Sequence, residues 1–134
     1  MIQQLCSLRG IEVHSATVLV REAFVHHFAN GKALGSYAGL TATPNNSGGV
    51  ERELGIGKTG NRRLRTTMVE LAWLWLRYQP GAAQVTWFRE RTGQTGRRMR
   101  KVMIVALARK LLIAFWRFVT EGVVPREATM KSAA

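Results

Sequence analysis

From Arg97 to Glu121 the chain reads as one long helix, basic in its opening turn (Arg97, Arg98, Arg100, Lys101) and apolar almost all round thereafter. A helix with so little polar face has to be covered on most sides, so this stretch sets the plan: it is the buried centre of a helical domain. Arg109, Lys110 and Arg117 interrupt its most apolar run, Val102 to Val119, and make it a poor membrane span. The other apolar patterns are then the helices that cover it. Met1 to Leu8 reads as a short helix, and Ala16 to Phe28 places Val18, Leu19, Ala23, Phe24 and Phe28 at helical spacing. Lys32 to Leu40 fits another short helix, Asn61 to Gln79 carries a stripe of Leu64, Met68, Leu71, Trp75 and Tyr78, and Ala82 to Thr92 is short again. Asn30-Gly31, Pro80-Gly81 and Gly93 to Gly96 punctuate them, and Gly122 and Pro125 end the last, leaving 123–134 as a flexible tail. The expected class is mainly α: one compact helical domain over 134 residues, with a helix-hairpin-helix-like N-terminal segment and a long Gly-rich loop or irregular hairpin carrying Ser47.

That loop, Thr41 to Gly60, holds five Gly, one Pro and two Asn and is the longest run without helical periodicity. Segments of this length inside a compact domain are functional or disordered. Ser47, beside Gly48-Gly49, is either a turn residue or a nucleophile, and the second role needs a base or metal plus cations for the charge that builds on the target. The cations are close in sequence: Lys58, Arg62, Arg63 and Arg65 surround a helix start at Asn61, where a helix dipole and guanidinium groups would face one anion. The alternative is a solvated basic face. Arg97 and Arg98, with Arg100 and Lys101, make a second such patch. Gly10-Ile11 breaks two helices and is a candidate phosphate contact through backbone N–H groups, or a plain turn; Glu12 stands where a hairpin of that kind usually has a second Gly. Gly57-Lys58-Thr59 lacks the earlier Gly and the preceding strand of a phosphate-binding loop.

The balance of charge favours a polyanion. Lys and Arg total 20 against 8 acids, a formal charge of +12, and nucleic acid is the commonest partner for a compact domain so basic. Most of those cations are Arg, whose planar fork suits phosphate oxygens. All the acids are Glu, and no converging set of carboxylates for a two-metal nuclease is visible. Cys6 stands alone, which excludes an internal disulfide and Cys-based zinc sites. His14, His26 and His27 read as surface residues, since neighbours on a helix diverge. Trp73, Trp75, Trp87 and Trp116 lie in apolar stripes and read as core.

In order along the chain, Arg9-Gly10-Ile11, Ser36 to Thr41, Asn46-Ser47-Gly48, Ile56 to Asn61, Leu64-Arg65 and Val105 to Leu112 resemble the C-terminal domain of DEDD-type insertion-sequence transposases guided by a bridge RNA. The resemblance spans about Leu8 to Gly122. It implies DNA as partner, a guide RNA, Ser47 as the serine that attacks DNA to form a phosphoserine link, and Lys58, Asn61 and Arg65 beside the DNA or under the catalytic loop. In that family an N-terminal RuvC-like domain supplies acidic residues for a divalent metal, Mg. With no Asp here, the expectation is a separated C-terminal half that holds no cofactor itself and binds DNA without recombining it alone. The expected setting is the bacterial cytoplasm, at the nucleoid, with a RuvC-like partner domain and a possible second copy. The rival expectations are a non-catalytic basic DNA- or RNA-binding module and an assembly module.

Overall fold

A computed structural model describes residues 1–40, 60–92 and 97–131, leaving aside the side chains of 97–99. The expected Gly-rich loop, Ser47, Lys58 and the side chains of Arg97 and Arg98 lie outside the described residues. The rest is helical, in the order α1 (Ile2–Cys6), α2 (Val13–Leu19), a π-helical turn (Val20–Phe24), α3 (Gly31–Ala38), α4 (Arg62–Tyr78), α5 (Ala83–Thr92) and α6 (Arg97–Glu121). No strand occurs among the described residues; the single extended pairing there is an antiparallel bridge between Leu8 and Met130.

α6 is the centre that its composition demands. Ile104, Leu107, Ala108, Leu111, Leu112, Phe115 and Phe118 are buried along it, and α1, α3, α4 and α5 pack against it. Trp75 of α4 meets Phe115 edge to face at 5.2 Å between ring centroids, an arrangement that adds about 0.5–1.5 kcal/mol to simple burial. Gly35 lets α3 come close to α6: a Cβ there would lie 3.2 Å from the Arg109 Nε. Among the described residues no helix is long and apolar enough to cross a membrane.

The expected helix over 16–28 is two pieces. α2 gives way to a wider turn in which the Val25 N–H reaches the Val20 carbonyl at 3.1 Å, five residues back. The expected tail also differs, because the backbone is fixed as far as Lys131. Gln79, fully buried at the end of α4, donates from Nε2 to the carbonyls of Arg9 and Thr129, both at 2.8 Å, and accepts from the Thr129 N–H at 2.7 Å. The Arg9 N–H bonds the Thr129 carbonyl and the Lys131 N–H bonds the Ser7 carbonyl. One buried amide thus ties both ends of the chain together, a partnership no local periodicity can reveal.

Candidate nucleic-acid interface

The two ends of the undescribed segment 41–59 meet at a clasp of glycines. Gly39 closes α3 in the left-handed conformation (φ 73°), which returns its N–H to the Ser36 carbonyl and that of Leu40 to the Gly35 carbonyl. Gly60 then lies directly on it: a Cβ on Gly60 would sit 2.7 Å from the Gly39 Cα and 2.8 Å from its nitrogen, closer than any side chain tolerates. The next N–H, of Asn61, donates to the Tyr37 carbonyl at 2.8 Å.

Asn61 does most of the positioning that follows. Its side-chain oxygen accepts from the Leu64 N–H at 3.0 Å and so caps α4, as an Asn at a helix start is suited to do. Its amide nitrogen donates to Glu22 Oε1 at 2.8 Å and to the Tyr37 hydroxyl at 3.1 Å, and that hydroxyl donates to the Glu22 carbonyl at 2.8 Å. The π-helical turn therefore supplies both a carboxylate and a carbonyl to hold the start of α4. Asn61, half-buried, is thus engaged through its side-chain oxygen, its amide nitrogen and its backbone. The sequence pointed to Asn61 but not to Glu22, a lone acid in an apolar helix, nor to the Tyr37 hydroxyl.

The cap aims the first turn of α4 and its cations outward. Arg62 is exposed, and Arg63, 72% exposed, reaches Glu22 Oε2 at 3.9 Å, a pairing that solvent leaves weak. Arg65 is half-buried and lies across the clasp, its Nη1 3.0 Å from where a Gly39 Cβ would be. Arg21, Glu22 and Arg63 line a cleft of about 360 Å³ together with His14, Thr17 and Val18. Arg21 and Arg63 thus flank the Glu22 carboxylate, with Arg62 exposed and Arg65 half-buried in the same first turn of α4, beside an oriented helix N-terminus: a site for an anion.

Gly10 is not part of this cluster. It has φ +101° and faces the other end of α4, its missing Cβ 3.6 Å from Tyr78 Cβ and 3.9 Å from the Trp75 ring. The sixteen residue steps from Arg62 to Tyr78 put about 24 Å between the two places. Glu12, at the start of α2, pairs with Lys131 at 3.4 Å.

Residues 2–87 match the family model described as the transposase IS116/IS110/IS902 family. The chain belongs to this transposase family. The matched region takes in the clasp, the Asn61 cap and the arginines that follow. The putative transposase y4rJ of Sinorhizobium fredii is 48% identical over 129 residues, which cover 96% of this chain and 33% of y4rJ. A second protein of that organism with a transposase name, y4qE, is 35% identical over 75 residues, 55% of this chain and 19% of its own length. The chain therefore spans about a third of the first relative. No solved structure matches it significantly.

Proposed function

We propose that this chain is the DNA-contacting, serine-bearing part of an insertion-sequence transposase, with Ser47 as nucleophile. The observation that carries the reading is the clasp. The segment that holds Ser47 leaves and returns beside the capped start of α4, where Arg62, Arg63 and Arg65 gather. A phosphodiester bound there meets guanidinium forks and a helix N-terminus together. In the proposed step Ser47 Oγ attacks phosphorus and gives its proton to a base. The bond from phosphorus to one sugar oxygen breaks, that oxygen takes up a proton, and the DNA end stays esterified to the serine. The arginines and Lys58 stabilise the charge that builds on the phosphoryl oxygens. Gly10, Arg97 and Arg98 belong to the outer reach of the DNA path.

Among the described residues no group of three or more His, Cys or acidic side chains could hold a metal ion. In this reading divalent metal arrives with the carboxylates of a RuvC-like partner domain, and guide RNA and a second copy join the same assembly. The test is a denaturing gel for a covalent protein–DNA adduct, with this chain joined to a RuvC-like domain. Wild type should form the adduct and Ser47→Ala should lose it. An adduct that survives Ser47→Ala ends the assignment, and DNA binding without any adduct in wild type leaves a non-catalytic binding module in its place.

A further inference from the structure

A second basic surface lies along the flank of α4, away from the clasp. Trp73, Arg77, Arg89 and Arg100 rim a groove of about 460 Å³ between α4, α5 and the start of α6, floored by Leu76 and Phe88. Among the described residues no carboxylate lines it. Its size falls within the range of about 300–1,000 Å³ usual for ligand sites. Trp73 is 45% exposed, against complete burial for Trp75 two residues on, so the indole face is open beside three guanidinium groups. Arg89 is anchored, donating to the Leu76 carbonyl at 3.3 Å, and Arg77 packs over the Tyr78 ring at 5.5 Å. These contacts hold Arg77 and Arg89 in place, and neither pairs with a carboxylate among the described residues.

We infer that this groove binds an unpaired nucleic-acid strand, with one base stacked on Trp73 and the adjoining phosphates on Arg77, Arg89 and Arg100. An exposed indole among arginines gives what a single strand can use and a duplex cannot, because a paired base has no free face. Charge complementarity fixes the class of occupant: an apolar floor and a cationic rim. The groove is also in line with the clasp. Eleven residues separate Arg62 from Trp73, a rotation that returns to within about 20° of the same direction after a rise of about 16 Å. A polynucleotide leaving the clasp along the exposed side of α4 passes Thr66 and Glu70 and reaches the groove. The inference shares the nucleic-acid reading of the clasp and needs nothing from Ser47.

The test uses the whole chain and fluorescein-labelled probes of one sequence: a 20-nucleotide DNA strand, the matching RNA strand and the DNA duplex. Anisotropy titrations over a range of KCl, with circular dichroism to check folding, compare wild type with three variants. Trp73→Ala should weaken at least one single strand about 5- to 100-fold and the duplex less than about twofold, while Trp73→Phe restores most of the affinity. Arg77→Ala/Arg100→Ala should lower the single-strand salt slope by about 1–1.5. Whichever strand type loses affinity is the occupant. Single-strand binding within about twofold of wild type in both the Trp73→Ala and the double variant overturns the inference. So does an equal loss on the duplex, or competition by polyglutamate as effective as by the unlabelled strand. Arg62→Ala/Arg63→Ala, run in parallel, reads the clasp separately: loss of duplex binding there with the groove variants silent leaves the clasp reading standing and this one refuted.

Discussion

Gly60 shows how much of this chain rests on one missing atom. Thirteen glycines punctuate the sequence, and nothing local distinguishes Gly60 from those around it, because its constraint is a contact with Gly39 across twenty-one positions. Any Cβ would force the two backbones apart and with them the Asn61–Tyr37 bond that aligns α4. Gly60→Ala should therefore destabilise the chain by about 1–3 kcal/mol, the usual range for overpacking. Gly81, where a Cβ would meet nothing within 4 Å, is the matched control, and its Ala variant should stay within about 0.5 kcal/mol. Urea unfolding of the two variants beside wild type decides the matter; equal midpoints would mean that the clasp yields freely. Trp73 is a second case of what residue type conceals. Four apolar residues in a row, Trp73 to Leu76, point in directions about 100° apart on a helix, so they cannot all face the core. Its apolar stripe made Trp73 read as core, yet at 45% exposure it is the residue of the four left most outside.

At the level of elements, the helices were legible almost to their ends. Asn30 and Asn61 cap α3 and α4 through their side chains, Gly39 and Gly122 stop α3 and α6 at positive φ, and the apolar spacing between these points has one reading. Two elements were not legible. The π-helical turn breaks the 3.6-residue period in the middle of an apolar run, and its use is non-local, since Glu22 serves Asn61 from 39 positions away. The C-terminal segment is short, polar and without periodicity, and its order comes from Gln79, 50 positions earlier. Replacing that amide tests the assignment. Gln79→Leu keeps the approximate volume but leaves the Thr129 N–H and two carbonyls without this partner. Arg9 and Thr129 are exposed residues and the Thr129 carbonyl keeps the Arg9 N–H, so the variant should lose about 1–3 kcal/mol or release the segment. Limited trypsin digestion should then cut at Arg126 and Lys131 much faster than in wild type. Unchanged cleavage would show that the bridge from Leu8 to Met130 and the backbone bonds suffice without Gln79.

For the molecule as a whole, the formal charge of +12 and the arrangement of that charge make separable claims. Total charge alone draws a polyanion to any face, with an affinity that depends on how many cations are present and little on which. A built interface depends on position. The first turn of α4 has cations held by a cap and a clasp, whereas Arg117 and Arg126 stand exposed at the far end of α6 and beyond it, Arg117 paired with Glu121 at 3.5 Å. Binding of the chain to duplex DNA should fall linearly in log–log form with salt, at a slope of about 0.9 for each phosphate neutralised. Arg62→Ala/Arg63→Ala should reduce that slope by nearly 2 and weaken binding at low salt. Arg117→Ala/Arg126→Ala removes the same formal charge and should leave the slope almost unchanged. If both pairs lower it equally, the duplex is held by the field of the whole protein, and the convergence of arginines at the clasp has no bearing on where DNA lies. If only the first pair does, the duplex is fixed at the capped start of α4, as the attack proposed for Ser47 requires.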